Sequence, residues 1–367
     1  MKTTQYKYAD TSINELESIL YQEIFDALYE KYGTTPDPLI TKRVKEEWLA
    51  FKVNETIIDV AILNELVAYL KESNIVYSSR FDCNSNLIFY LLGISKINPL
   101  PAHYYCPHCK KVVWKEEYKC GLDLPLPEIC CNDHKETSVD GFDIPHQYYR
   151  ENAYFTIYAP TNIENTITDF FTNHWYTSKT SPTVEEAQHY TGTIKRIEYA
   201  NISVWCILKP VDKRLAKSTL NIDVDDLILE TQHFAAVSTP KFNVELKCFS
   251  DVLSYLGIYN SSYKDEFPII TLINNLKYTP QSLIAFREDL FKYFLKHGLD
   301  EATARKATEN MRKGKKVIDK YITPEMELSP DKWVIALCKE MNYLASKPET
   351  LEGLFYKLQY NPYRPPF

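Results

Sequence analysis

Two closely spaced groups of metal-ligating residues decide the fold of this chain: Cys106-Pro107-His108-Cys109 and, further along, Cys130-Cys131-Asn132-Asp133-His134. Soft ligands separated by two residues allow a tight turn to direct both side chains at one ion. The second stretch contains a pair with the same spacing as the first. The sequence therefore predicts a tetrahedral structural zinc site on a short ribbon, with the ligands Cys106, Cys109, Cys131 and His134.

Other assignments of the second pair stay open. Cys130 with Asp133 has the same spacing, and Cys120 is a further thiol in the segment. A different interpretation is that these are reduced, buried cysteines that hold no metal. A structural zinc would in any case explain folding rather than activity.

The residues around the ligand pairs form a more specific pattern. The lead-in is Lys96-Ile97-Asn98-Pro99-Leu100-Pro101-Ala102-His103-Tyr104-Tyr105-Cys106-Pro107, the middle is Gly121-Leu122-Asp123-Leu124-Pro125, and the end is Asp140-Gly141-Phe142-Asp143-Ile144-Pro145. This segment resembles the zinc-bearing segment of PolC-type DNA polymerase III alpha subunits, which reads V-N-P-L-P-x-H-Y-x-C-P-x-C, G-F-D-L-P and D-G-x-D-I-P. The fourth zinc ligand of that family is a cysteine, where this chain offers His134 or Asp133.

The resemblance extends in both directions along the chain. Residues 32–33, 36–40 and 43–47 resemble the helical lead-in to the polymerase palm. Downstream, residues 285–290 resemble G-C-R-D-D-I, and residues 311–315 resemble V-R-K-G-K. A PolC subunit is several times longer, and its exonuclease, helix-hairpin-helix unit, clamp-binding element and primer-tail-binding domain are not recognised here. The resemblance implies an α+β fold, with a polymerase-palm-like mixed sheet, an inserted zinc ribbon and a helical fingers-like lobe.

Four segments follow from these landmarks. Residues 1–100 are expected to form a helical lead-in and the first part of the palm, and residues 101–145 the zinc ribbon. Residues 146–250 would complete the strand-rich palm, and residues 251–367 would form the fingers-like region. Hydrophobic periodicity predicts helices over 13–31, 38–52, 60–70 and 87–92, and strands over 75–77, 154–158, 194–199, 203–208 and 242–249.

The residues that the resemblance assigns to polymerase chemistry are missing. Nucleotidyl transfer uses two metal ions held by clustered carboxylates, and two of these come from P-D-I-D in the family. This chain has residues 154–160 there, without an acidic pair. The third carboxylate lies in a T-H-F-D-F strand, matched by residues 232–236 with Ala235 in place of aspartate. The family's glycine-rich phosphate loop, G-S-R-G-S-V-G-S-S, corresponds to residues 78–86, which keep Arg80 and no glycine.

An acidic run, Asp223-Val224-Asp225-Asp226, is the candidate for a relocated catalytic cluster. The alternative function is therefore a nucleotidyltransferase or phosphodiester enzyme that uses Asp223, Asp225 and Asp226. A run of this kind is also typical of a solvated turn or a helix cap, which would make the three carboxylates structural.

A basic stretch offers contacts for nucleic acid. Between Arg287 and Lys320 there are ten Lys or Arg against six Asp or Glu, a local balance of +4, in a chain whose net charge is −7. Its pattern predicts a helix that ends at Gly298 and a second helix that begins after Asp300 and ends near Gly314. Such a face is also common on ordinary solvated helices. The residues predicted to contact DNA or phosphate are Arg80, Arg287, Arg312, Lys313, Lys315 and Lys316.

Composition is typical of a globular protein with a sizeable core, because 45% of the residues are hydrophobic. No apolar run is long enough for a membrane span, and residues 1–5 lack a secretory apolar region. Nine cysteines, the clearest in metal spacing, favour a reducing cytoplasm. The sequence therefore predicts a cytoplasmic, catalytically inactive PolC-like protein. Its expected partners are DNA (primer-template or single-stranded) or a replisome component, in an accessory or inhibitory role for a phage or mobile element.

Overall fold

The computed structural model describes residues 12–125, 137–146, 155–174, 181–189, 192–208, 223–238, 245–261, 278–315, 317, 319–339 and 343–360. The chain divides into two compact units. Unit 1 comprises Met1–Lys115, Pro125–Phe142 and His146–Thr219, and unit 2 comprises Glu116–Leu124, Asp143–Pro145 and Leu220–Phe367. Helices combine with a mixed five-stranded sheet, which confirms the predicted α+β class. None of the helices in the described ranges is both long and apolar enough to cross a membrane.

Unit 1 begins with three helices that match the periodicity of the sequence. They are α1 (Ile13–Tyr32), α2 (Pro38–Val53) and α3 (Ile57–Glu72). Helix α1 starts with a capping box, in which the side chain of Ser12 accepts from the Glu15 amide and the Glu15 carboxylate accepts from the Ser12 amide. The apolar faces of the three helices meet in one core, and the helices predicted over 13–31, 38–52 and 60–70 are confirmed.

The large sheet of unit 1 has the order β1-β5-β8-β7-β6. Strands β5 and β8 are parallel and the other pairs are antiparallel. Helix α6 (Glu164–His174) packs on one face, where Phe171 stacks on Tyr199 with 4.9 Å between ring centroids. The strands are β1 (Ser78–Ser79), β5 (Phe155–Pro160), β6 (Thr183–His189), β7 (Gly192–Tyr199) and β8 (Ile202–Leu208).

The strand predictions for 154–158, 194–199 and 203–208 are confirmed by β5, β7 and β8. The prediction for 75–77 falls just before the short strand β1. Strand β6 was not predicted. The predicted strand over 242–249 is wrong in its described part, because residues 245–248 lie outside any strand and Phe249 begins a helix.

A second, three-stranded sheet in unit 1 carries the first predicted ligand pair. Strand β2 (His103–Tyr105) pairs antiparallel with β3 (Val112–Trp114) and with β4 (Ser138–Asp140). The glycine that follows β4 is required by space and by conformation. Gly141 has φ +96°, and a Cβ there would lie 2.1 Å from the carbonyl oxygen of Pro101.

Unit 2 is helical in its described part. The helices are α7 (Val224–Ser238), α8 (Phe249–Tyr259), α9 (Arg287–Lys296), α10 (Glu301–Arg312), α11 (Pro324–Leu328), α12 (Trp333–Lys339) and α13 (Lys347–Tyr360). The predicted helix ends are confirmed. Gly298 (φ +88°) follows α9, Asp300 caps the start of α10, and Gly314 (φ +65°) follows the end of α10. The G-L-D-L-P segment also has a role here, because the Asp123 carboxylate accepts from the Ser250 amide (2.9 Å) near the start of α8.

Candidate functional site

The first ligand pair lies in a tight turn between β2 and β3. The Cys106 amide donates to the carbonyl oxygen of Lys111 at 3.1 Å, and Lys110 adopts φ +56° to close the turn. Cys106 is 3% exposed and Cys109 is half-buried. Burial raises the pKa of Tyr105, and the neighbouring Cys106 and Cys109 raise it further. Two cysteines that flank such a turn have the arrangement of one half of a zinc ribbon.

The second half of the predicted metal site lies outside the described residues. This concerns both the predicted pair and its alternatives, namely Cys130, Cys131, Asp133 and His134. Within the described ranges, no group of three or more His, Cys, Asp or Glu is placed to hold a metal ion. Cys120 is described and fully buried, and its sulfur accepts from the Leu122 amide at 3.4 Å. Cys106 and Cys109 thus fit a zinc site, while Cys120 supports a local turn.

The small sheet is tied to helix α1 by a chain of polar contacts. The Lys31 ammonium donates to the Tyr90 hydroxyl (2.6 Å), which donates to the Asp140 carboxylate (2.7 Å). The Asn98 amide group also donates to Asp140, and the Tyr105 hydroxyl donates to the Lys31 carbonyl oxygen. Burial lowers the pKa of Lys31, partly opposed by Asp140. Asp140, the first aspartate of the D-G-F-D-I-P motif, therefore fixes the small sheet.

The segment that corresponds to the phosphate loop is filled by its own side chains. Strand β1 is followed directly by a short helix, α4 (Phe81–Asn84). The Asn84 side-chain oxygen accepts from the hydroxyls of Ser79 (2.5 Å) and Ser95 (2.6 Å), and its amide group donates to the Ser79 carbonyl oxygen. Asn84 is 1% exposed. These polar groups bind one another, so the backbone here is not arranged as an open phosphate cradle.

A buried ion pair holds the rest of this loop. Glu47 is fully buried, and its two oxygens accept from the amides of Leu87 and Ile88, both at 2.9 Å, at the start of α5 (Leu87–Leu91). The Arg43 guanidinium donates to Glu47 (2.5 Å) and to the carbonyl oxygen of Ser85 (2.8 Å). Arg43 and Glu47 lie on one turn of α2, and this turn therefore anchors the loop.

One face of the five-stranded sheet carries polar and aromatic residues on β5 and β8. Thr156 and Tyr158 of β5 pair in register with Ser203 and Trp205 of β8, and neither strand has an acidic residue. The Trp205 indole N–H donates to the Ser203 hydroxyl at 2.8 Å. The Arg80 guanidinium lies over the Trp205 ring, 4.9 Å from its centroid. Arg80 therefore packs against an aromatic ring.

Carboxylates do occur on the neighbouring strands of the same face. Glu198 of β7 pairs with Ser203, and Glu185 of β6 pairs with Arg196 of β7. Both carboxylates are bound by the Arg196 guanidinium, at 3.1 Å for Glu198 and 2.8 Å for Glu185. Arg196 thus neutralises the negative charge of the two carboxylates. A site for two metal ions would instead need negative charge to accumulate.

The acidic run at Asp223 is a helix cap. The Asp223 side chain accepts from the amides of Asp225 and Asp226, both at 3.1 Å, at the start of α7, and all three acidic residues are exposed. The assignment of residues 232–236 to a catalytic strand is wrong. These residues belong to α7, where Ala235 is fully buried on the same face as Leu227 and Thr231.

The predicted phosphate-contacting residues are divided between the two units. Arg80 belongs to unit 1, and the others belong to unit 2. Arg287 is 4% exposed, and its Nε lies 3.4 Å from the Glu288 carboxylate. Arg312 is half-buried and binds Glu309 at 2.9 Å. Lys313 and Lys315 are exposed beside Gly314 at the end of α10, and Lys316 lies outside the described residues.

One charged group in unit 2 was not singled out from the sequence. Lys292 of α9 donates to both the carbonyl and carboxylate oxygens of Asp143, although residues 143–145 are far from α9 in sequence. The sequence contains only a weak indication of this contact. Lys292 follows Glu288 by one helical turn, but nothing in the local sequence indicates that Asp143 is its partner.

Comparison with curated proteins finds relatives for a part of this chain. It is 31% identical over 139 residues to the "DNA polymerase III PolC-type" of Caldanaerobacter subterraneus and 34% identical over 139 residues to that of Thermotoga petrophila. It is 28% identical over 144 residues to that of Streptococcus thermophilus. These alignments cover 37–39% of this chain and 10% of each relative. No family model matches.

The chain therefore contains a segment that is homologous to part of PolC-type DNA polymerase III. The matched part amounts to about a tenth of the length of those relatives.

Proposed function

We propose that this protein is a non-catalytic relative of PolC that binds DNA. One observation carries the proposal: a chain with a PolC-homologous segment has a palm-like sheet face without free clustered carboxylates in its described part. Strands β5 and β8 present Thr156, Tyr158, Ser203 and Trp205 instead. Two-metal nucleotidyl transfer needs carboxylates that converge on the metal ions. A palm without these carboxylates can bind nucleic acid without extending a primer.

The proposed DNA contacts lie in unit 2 and, for one stacked arginine, in unit 1. Lys313 and Lys315 are exposed on either side of Gly314, and Arg312 lies one residue before them. Exposed lysines neutralise phosphates without reading base sequence. Arg287 is buried beside Glu288 and therefore fits a packing role better than a surface contact. In unit 1, the Arg80–Trp205 stack presents a cation and an aromatic face, which suits contact with an unpaired base or a phosphate.

We also propose that the small sheet of unit 1 is a zinc ribbon whose ligands are Cys106, Cys109, Cys131 and His134. The turn at Cys106, closed by the αL conformation of Lys110, supports the first pair. The metal would stabilise the ribbon and leave the chemistry of the sheet face unchanged.

The protein is expected not to extend a primer. Without converging carboxylates, neither Mg²⁺ nor Mn²⁺ should produce products above background on a labelled primer-template resolved by denaturing gel. An active DNA polymerase in the same buffer is the control. Template-dependent extension that disappears in an Asp223→Asn variant would show that the acidic cap of α7 is catalytic, and the enzyme alternative would replace this proposal.

The protein is expected to bind primer-template DNA, with an affinity that falls steeply as salt rises. Reversal of charge at Lys313 and Lys315, as K313E/K315E, should reduce the salt slope by roughly two, since each phosphate contact releases about one counterion. Fluorescence anisotropy across a salt series measures both quantities. K332E/K339E makes the same change of net charge on exposed lysines of unit 2 and is the matched control.

Equal loss of affinity in both double variants would show that only bulk charge matters. If the wild type binds no DNA at low salt and a replisome protein co-purifies from the host, then that protein is the partner and the basic residues are solvated surface.

A further inference from the structure

Strand β6 forms a long, open edge of the five-stranded sheet. It is the last strand in the order β1-β5-β8-β7-β6 and pairs with β7 from Thr183 to His189 without a register shift. In the described part of the chain, the backbone of these seven residues bonds to no other strand or loop. An edge of this length presents a row of main-chain donors and acceptors. The opposite edge, β1, has only two residues and leads directly into α4.

Solvent reaches this edge of the sheet. Residues 183–186 are all exposed, and Val184 keeps 49% of its surface accessible. Proteins commonly protect such an edge with a proline, a bulge or a very short strand. Strand β6 contains neither proline nor a bulge, so its backbone can accept a further strand.

An apolar row that crosses the sheet ends at β6. On the face that α6 covers, Ile157, Val204 and Ile197 lie side by side in register, and all three are fully buried. Val184 lies opposite Ile197 and is the next member of this row. Because Val184 is half exposed, the row lacks a neighbour on its outer side. An apolar side chain on a further strand would bury Val184 as the inner residues are buried.

Two adjacent glutamates define the charge that this neighbour needs. On the inner side, Lys195 of β7 lies opposite Glu186. Arg196 lies opposite Glu185 and binds it at 2.8 Å, although the Glu185 side chain remains 54% exposed. Glu186 is exposed and forms no ion pair within the described residues. Since opposite charges on neighbouring strands stabilise their pairing, basic residues on the outer side are favoured.

The same charges disfavour a second copy of β6 as the neighbour. Glu186 is the middle residue of Thr183–His189. Two copies of the strand paired over their full length would therefore place Glu186 directly opposite the same residue of the other copy. Like charges in directly opposite positions destabilise strand pairing.

We propose that β6 is a docking edge for an extended, basic segment of a partner protein, which adds an antiparallel strand to the sheet. This segment places two basic residues opposite Glu185 and Glu186 and a β-branched residue opposite Val184. Strand β7 presents the same pattern, Lys195-Arg196-Ile197, to the inner side of β6. Main-chain bonds supply the affinity in this mode of recognition, and the alternating side chains supply the specificity. The inference is independent of the proposed DNA binding, because an acidic edge repels phosphate.

The probe is a labelled peptide with the sequence of β7, Gly-Thr-Ile-Lys-Arg-Ile-Glu-Tyr, which is added to the full-length protein and followed by fluorescence anisotropy. The wild type is expected to bind it, and E185K/E186K is expected to bind it about tenfold more weakly. E30K/E72K makes the same change of charge at exposed glutamates of unit 1, in the last turns of α1 and α3, and should bind like the wild type.

A charge-reversed peptide, Gly-Thr-Ile-Glu-Glu-Ile-Glu-Tyr, should show the opposite preference. It should bind E185K/E186K more tightly than the wild type, because each carboxylate of the peptide then faces a lysine. Such a reversal also demonstrates that the double variant is folded.

Two N-methylated versions of the β7 peptide test whether the main chain pairs. Each version carries methyl groups on one of the two sets of alternate amides. Only alternate amides of an added strand face its neighbour, so one version should lose binding and the other should keep it. Attraction between charges alone would leave both versions bound.

The proposal is overturned if the wild type does not bind the β7 peptide, if E185K/E186K and E30K/E72K bind it alike, or if the two N-methylated peptides behave alike. Sedimentation of the wild type tests the other occupant. A dimer that E185K/E186K converts into a monomer would identify a second copy at this edge and would also overturn the proposal. None of these measurements contains DNA, so failure here and failure of the proposed DNA binding are distinguishable.

Discussion

Freshly purified protein, prepared without chelators, is expected to contain about one zinc ion per chain, and Cys106→Ser is expected to lose it. Cys106 is 3% exposed in the turn between β2 and β3, where its amide donates to the Lys111 carbonyl oxygen. Structural zinc sites contribute roughly 10 kcal/mol or more of folding free energy in small domains. Loss of the metal should therefore unfold the small sheet of unit 1, with a large rise in its amide hydrogen exchange. Elemental analysis and hydrogen exchange measure the two effects.

Cys248→Ser is the matched control for this experiment. Burial raises the pKa of Cys248 to about 12, so it remains a protonated thiol at neutral pH and is a poor metal ligand. Its replacement should leave the zinc content unchanged. His134→Ala and Asp133→Ala then decide between the two second pairs, and only the first is expected to lose zinc. Absence of zinc in the wild type would show that Cys106 and Cys109 are reduced thiols that hold no metal.

The sequence predicted the elements that depend on local signals. Helix α1 was predicted from its apolar spacing, and α10 begins after Asp300, as expected from that capping residue. Strands β5 and β8 were visible because their inner faces are apolar, with Phe155, Ile157 and Val204 fully buried. Each of these signals acts within a few residues and needs no knowledge of the rest of the fold.

Strand β6 was missed because it lies at the edge of the sheet and its described side chains are largely exposed. Without a buried face, its residues show no clear alternation of apolar and polar character. Helix α7 was misassigned for a different reason. The similarity of residues 232–236 to a family strand outweighed the helical spacing of Leu227, Thr231 and Ala235 and the cap at Asp223.

The candidate site shows the limits of charge patterns more clearly. Arg287 and Lys313 belong to the same basic stretch, yet the first is buried beside Glu288 and the second is exposed. Conversely, Asp143 and Lys292 are joined across 149 positions of sequence. Tertiary contacts determine which charged side chains remain available to a ligand. The local sequence pattern does not indicate those contacts.

Glu47→Ala is expected to destabilise unit 1 by about 3–5 kcal/mol, since removing one partner of a buried ion pair leaves the other charge uncompensated. Three groups lose their acceptor in this variant: the Arg43 guanidinium and the amides of Leu87 and Ile88. Leu87 and Ile88 are themselves fully buried, so water has poor access to the freed donors. Chemical denaturation monitored by tryptophan fluorescence measures the change.

The adjacent residue provides the control. Glu46 forms an exposed ion pair with Lys42 at 3.7 Å, with side chains 48% and 76% exposed. Glu46→Ala should therefore change stability by about 0.5 kcal/mol or less. The two variants remove the same side chain from neighbouring positions of α2, so helix propensity and net charge change equally. Their difference isolates the buried contacts of Glu47.

The outcome also bears on how the loop over residues 78–86 is held. Arg43 donates to the Ser85 carbonyl oxygen as well as to Glu47, so loss of Glu47 frees the guanidinium that fixes the loop. If residues 78–86 are structural, as the Ser79–Asn84–Ser95 contacts indicate, hydrogen exchange in this loop should rise with the loss of stability. Similar stability of the Glu47→Ala and Glu46→Ala variants would show that the loop does not depend on the ion pair.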